Sequence, residues 1–119
     1  MLMTESVTTN YEIVRQAILK RRSLACVYDA YARFFSPHVL GKSSDGHITV
    51  VGFQYAGRRP EGPLPHSGDW CCFRLERLVW LRPAADRWTT GSPSGCPVKC
   101  ISVVDASAIS PAISLGIER

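Results

Sequence analysis

The chain reads as one mainly β domain with a single N-terminal helix, an α+β chain curled into a small barrel. Three observations predict this. A capped amphipathic segment opens the chain, and short β-branched and aromatic runs follow it. Gly/Pro/Ser-rich turns then separate those runs at short intervals, as in small curled sheets.

The helix comes first. Thr9-Asn10-Tyr11-Glu12 matches a capping box, and Tyr11, Val14, Ala17 and Ile18 share one side at helical spacing. Residues 1–9 are expected to be extended or disordered. Lys20-Arg21-Arg22 ends the helix, where cations favour the negative end of the dipole. Ser23 to Tyr28 is a strand buried on both faces, and Asp29 to Ala32 is a short connection. Arg33 to Leu40 is a second strand, bent at Pro37 because proline cannot donate to the ladder. A turn over Gly41 to Gly46 leads into a third strand, His47 to Tyr55, with the β-prone run Ile48-Thr49-Val50-Val51.

Ala56 to Gly68 holds Gly57, Arg58, Arg59, Pro60, Gly62, Pro63, Pro65 and Gly68, a loop of the kind that is often functional or mobile. Trp70 to Leu75 is the fourth strand, and Leu75 to Arg82 continues as a fifth after a bulge or bend, ended by Pro83. The domain proper is placed at residues 10–88. Residues 89–119 hold a turn-rich stretch, one more strand at Val98 to Val104, and a tail expected to pack on the barrel or a partner.

At 119 residues, with 45% hydrophobic and 20% charged residues, the composition is that of one folded domain rather than a disordered chain. No run approaches the roughly 18 apolar residues of a membrane span, and Met1 to Asn10 has no leader pattern, so a soluble cytoplasmic protein is expected. The net charge of +4 suits an anionic partner. Five cysteines, an odd number, argue against a disulfide framework in such a compartment, and the adjacent Cys71 and Cys72 point to opposite faces. His66-x4-Cys71 and Cys96-x3-Cys100 miss the closer paired spacings of structural zinc sites, so neither a metal nor another cofactor is expected. The chain lacks a Gly-x-Ser-x-Gly elbow, a His-Glu-x-x-His pair and a phosphate loop, which argues against an enzyme.

A family pattern then emerges from the order of the motifs. A basic-ended helix and a strand closing on Tyr28 precede Arg33-Phe34-Phe35-Ser36-Pro37-His38. Gly46-His47-Ile48-Thr49-Val50-Val51-Gly52 and Phe73-Arg74-Leu75-Glu76-Arg77-Leu78 follow. From about Tyr11 to about Trp88 this arrangement resembles the WYL domain, a module found chiefly in bacterial transcriptional regulators. Ile48-Thr49-Val50 stands where the family carries Trp-Tyr-Leu, and the usual preceding helix-turn-helix is not matched. The resemblance implies an SH3-like or Sm-like barrel that senses a ligand, a nucleotide or short single-stranded nucleic acid.

On that reading Arg33, Arg74 and Arg77 bind phosphate, since a guanidinium donates two parallel hydrogen bonds and keeps its charge. Arg74 and Arg77 are three apart, so their convergence requires a bend between them. Tyr31 is the expected stacking platform, with Tyr28 nearby, and His38 adds polar recognition. Phe73, Trp80 and Trp88 read as core or hydrophobic edge. The output would pass to a partner regulator or a homo-oligomer. The alternative is an interaction or oligomerisation module without a small ligand, built on loop 56–68, the tail and an exposed strand edge.

Overall fold

The computed structural model describes residues 2–91 and 95–109. Helix α1 spans Leu2–Lys20, earlier than the capping box suggests. Residues 2–10 contain neither Gly nor Pro, so nothing stops the helix propagating back through Thr9, and residues 2–9 of the stretch expected to be extended or disordered are helical. Val14, Ala17 and Ile18 form its buried stripe. The helix ends in paired capping bonds, Arg22 N to Ala17 O at 2.8 Å and Arg21 N to Ile18 O at 3.3 Å. Arg21 takes the left-handed position (φ 52°) that glycine usually fills.

Six antiparallel strands follow: β1 Leu24–Tyr28, β2 Tyr31–Lys42, β3 Ile48–Gly57, β4 Asp69–Arg74, β5 Val79–Pro83 and β6 Val103–Ser107. Their order is β4-β3-β2-β1-β5, with β6 pairing separately to β2. The long β2 makes this possible. Its first half pairs β1 (Leu24 opposite Phe35), and its second half pairs β6 (Leu40 opposite Ala106). Register shifts between Phe34 and Phe35 and between Pro37 and Val39 bend it, so the bend expected at Pro37 occurs as a bulge containing His38.

The sheet curls but does not close, so the fold is an open curled sheet where a barrel was expected. Its two ends, β4 and β5, are joined by a single 3-10 turn, Leu75–Arg77, instead of a ladder. This turn is the bend required between Arg74 and Arg77. Asn10, buried in α1, clasps it by donating from Nδ2 to Leu75 O (3.1 Å) and Leu78 O (3.2 Å).

The main core lies between α1 and the sheet, around Leu24, Phe35, Leu40, Val50, Phe73 and Leu75. Phe35 and Phe73 meet at 4.7 Å between ring centroids. Each such side chain contributes about 2–3 kcal/mol on burial. A smaller cluster gathers Val39, Val51 and Ile101 with Trp70, Cys72, Cys96 and Cys100 on its margin. There Cys72 of β4 is disulfide-bonded to Cys100, leaving Cys26, Cys71 and Cys96 free. The expectation of wholly reduced cysteines is thereby corrected. Adjacent Cys71 and Cys72 do face apart, and Cys72 finds a partner 28 residues away.

The last strand lies later than the sequence suggests, because Val98–Cys100 forms a 3-10 turn and β6 begins only at Val103. The end of the expected tail, residues 110–119, lies outside the described residues. Among the described residues no helix is long and apolar enough to cross a membrane.

Candidate functional site

The β1–β2 hairpin turns on only two residues, Asp29 and Ala30, both at positive φ (52° and 69°), with Tyr28 opposite Tyr31. That geometry matches the right-handed twist of the flanking strands. It lifts the Asp29 carboxylate over the end of the sheet, where Arg33 and Arg77 arrive. Arg77 Nη2 bonds Asp29 Oδ1, and Arg33 Nη2 lies 3.9 Å from Asp29 Oδ2. Both guanidiniums lie over the Tyr28 ring, at 5.5 Å for Arg33 and 4.8 Å for Arg77. Arg33 and Arg77 thus meet over Tyr28 with Asp29 between them, whereas the sequence predicts Arg33, Arg74 and Arg77 together on one exposed face.

Arg33 is 3% exposed, and its charge is held by internal acceptors. Nε donates to Tyr28 O (3.3 Å) and Nη1 to Gln54 Oε1 (3.1 Å). A buried guanidinium requires this saturation. Gln54 is itself fully buried and donates from Nε2 to Ala56 O (3.1 Å) and Arg58 O (3.2 Å), tying Arg33 to the start of the following loop.

Arg74 does not join them. Its side chain turns toward His47 Nε2 and Glu76, with Nη2 3.6 Å from Glu76 Oε2, while only its backbone N–H reaches the pair's platform, donating to Tyr28 Oη at 3.1 Å. His38 is a second correction. It is 1% exposed, stacked on Trp88 at 4.4 Å and edge-on to Trp70 at 4.7 Å. Nδ1 donates to Ser36 O (2.8 Å), Nε2 accepts from Gly91 N (3.4 Å), and burial holds its pKa below the usual histidine value. It is a core residue beyond a ligand's reach. The bulge at Pro37 turned it inward.

The cleft holding Arg33 and Arg77 has a volume of ≈ 450 Å³ and is also lined by Arg59, Asp29, Glu61, Asp69 and Cys71. Three arginines thus face three carboxylates, and the cleft is electrically balanced. The Cys71 thiol is pushed up by burial, against the opposing pull of Arg33 and Arg59, so it is a thiol and not a ready nucleophile.

A second groove, of ≈ 460 Å³, lies beside it between Tyr31 and the loop residues Gly57, Arg58, Arg59, Gly62, Pro63 and Leu64. The loop is built rather than slack. Gly57 (φ 96°) presses so close to β2 that a Cβ there would sit 2.2 Å from Ala32 O, and Arg58 N bonds that same oxygen at 3.0 Å. Arg59 staples the loop from inside, donating to Gly62 O (3.1 Å), Pro63 O (3.2 Å) and Asp69 Oδ2 (2.7 Å). Asp69 holds its pKa above the ordinary arginine value. Arg58 is different: it is exposed and makes no ion pair or side-chain hydrogen bond among the described residues. The sequence shows Arg58 and Arg59 in a Gly/Pro loop, which is the only signal that marks them.

Among the described residues no cluster of His, Cys, Asp or Glu is arranged to hold a metal ion. Comparison with protein families, with curated proteins and with solved structures found no match.

Proposed function

We propose that the chain is a non-enzymatic sensing domain that binds a nucleotide or short single-stranded nucleic acid in the groove between Tyr31 and the 57–64 loop. One observation carries this reading: Tyr31 shares that groove with Arg58, an exposed arginine that makes no ion pair among the described residues. An aromatic face and an unpaired guanidinium are what a base and its phosphate require. Arg33 and Arg77, already matched by Asp29, hold Tyr28 and the hairpin in place beside the groove. The ligand-bound state would be passed to a partner regulator, in keeping with the resemblance to a transcription-related module.

The test is a titration of the chain with AMP, GMP and a short oligothymidylate at two salt concentrations. Tyr31→Ala should weaken binding by roughly 1–3 kcal/mol. Arg58→Ala should weaken it for every ligand and lower the salt slope by about one. Affinity unchanged in both variants removes the groove from the function.

A second reading, an interaction module, has its own observation. Trp80 on the sheet-end strand β5 is 75% exposed, with φ 55°, and its neighbour Val79 is 47% exposed. A concentration-dependent dimer abolished by Trp80→Ser would favour that reading.

A further inference from the structure

The disulfide lies outside the ligand groove and has a role of its own. Among the described residues strand β6 has a single strand neighbour, with four pairs to the second half of β2, and otherwise packs mainly against α1. Val103 and Val104 on it are 65% and 40% exposed, so apolar burial of this part rests on Ala106 and the neighbouring Ile101 alone among the core residues. The approach is close: a Cβ at Gly41 would meet Val103 O at 2.1 Å. Immediately before β6, the 3-10 turn Val98–Cys100 carries the sulfur that bonds Cys72, with Cα atoms 6.6 Å apart. Cys72 belongs to β4, so the bond ties the C-terminal segment to a strand that β6 does not itself pair with. Both half-cystines are only partly buried at the margin of the smaller cluster, and Cys72 also lines the open arginine cleft. A third sulfur, the free Cys96 thiol, packs against the same cluster.

We infer that Cys72–Cys100 is a reducible latch, closed and opened by exchange with low-molecular-weight thiols, that sets whether β6 stays docked on β2. In the opening direction a thiolate attacks one cystine sulfur, forms a mixed disulfide and expels the other as a thiolate that takes up a proton. A second thiolate attacks the outer sulfur of the mixed disulfide, so the small molecule leaves as its own disulfide. Two electrons pass to the protein, which ends with two thiols. Closing is the reverse, with the small disulfide as oxidant. Opening keeps the β1 to β5 ladders and the Asn10 clasp, and removes only Ala106 from the main core. It frees β6 to lift from β2, exposing Ile101 and Val39.

The experiment equilibrates the full chain in oxidised and in reduced glutathione, counts thiols by alkylation and intact mass, and follows hydrogen exchange. Oxidised protein should show three alkylatable thiols and protected β6 amides. Reduced protein should show five, with β6 amides exchanging on the order of tenfold faster or more and those of β3 unchanged. Cys72→Ser should show the fast exchange even in oxidised glutathione, and Cys96→Ser should behave as the unaltered chain. Equal β6 exchange in the two buffers, five free thiols after oxidation, or slow exchange in oxidised Cys72→Ser would overturn the latch. None of these readouts involves the ligand groove, so the latch and the sensing function stand or fall separately.

Discussion

Asp29 and Arg77 close the mouth of the arginine cleft with an ion pair between a hairpin turn and the 3-10 turn that follows β4. The same carboxylate faces the buried Arg33, so one side chain offsets the exposed Arg77 charge that would otherwise be open to an anion. Asp29→Asn keeps a residue that tolerates the left-handed backbone (φ 52°) and removes only the charge. Affinity for a nucleotide should then rise about two- to fivefold, the range of a part-exposed pair, and the gain should shrink in high salt. Isothermal titration at low and high ionic strength checks this. A loss of affinity would mean that Asp29 positions the arginines for binding rather than competing with the ligand.

His38 makes the fold acid-sensitive. Burial depresses its pKa in the folded chain below the ordinary histidine value of about 6.5, so the unfolded chain binds the proton more readily. Stability is therefore fully present above about pH 6.5 and falls as the pH drops toward the lower folded value. The geometry gives the reason: a proton added at Nε2 would face the Gly91 N–H that now donates to it. Melting temperatures across pH 5 to 8 should decline below this threshold, and His38→Leu, although less stable throughout, should show a shallower decline.

Much of the fold was legible because hydrophobic period and turn residues act locally. The helical stripe of Val14, Ala17 and Ile18, the β1–β2 and β2–β3 hairpins and the bend before Arg77 all follow from neighbouring residues. What escaped the sequence depends on partners far along the chain. Residues 35–41 are buried without alternation because β2 is covered on both faces, so nothing local marks His38 as core. The compensation of Arg33 and Arg77 by Asp29 arises only once the hairpin turn lifts that carboxylate. Likewise Cys72 meets Cys100 only after β6 folds back. Arg58 was visible merely as a loop cation, since its lack of an ion pair among the described residues is a property of the folded surface.

Gly41 sets how closely β6 can dock. A methyl group there would stand 2.1 Å from Val103 O and 2.6 Å from Ile101 Cγ2, a collision with backbone that no rotamer relieves. Gly41→Ala should cost about 1–3 kcal/mol, the range for forced overpacking. The urea midpoint should fall and β6 amides should lose protection first. An unchanged midpoint would show that β6 contributes little to the stability of the domain.

Ala30 occupies the second position of the β1–β2 turn at φ 69°, a conformation in which its Cβ crowds the following carbonyl. Relief of roughly 1 kcal/mol is available to glycine there, against about 0.4–1 kcal/mol of extra freedom that glycine gives the unfolded chain. The two nearly cancel, so Ala30→Gly should be neutral or raise the melting temperature slightly, unlike most Ala-to-Gly changes in a β-rich domain. A β-branched residue has no such escape, and Ala30→Val should be clearly destabilising although its side chain is exposed. Thermal unfolding of both variants decides the matter. If valine is tolerated as well as glycine, the hairpin has another turn conformation available, and Asp29 is not held over the cleft by backbone geometry.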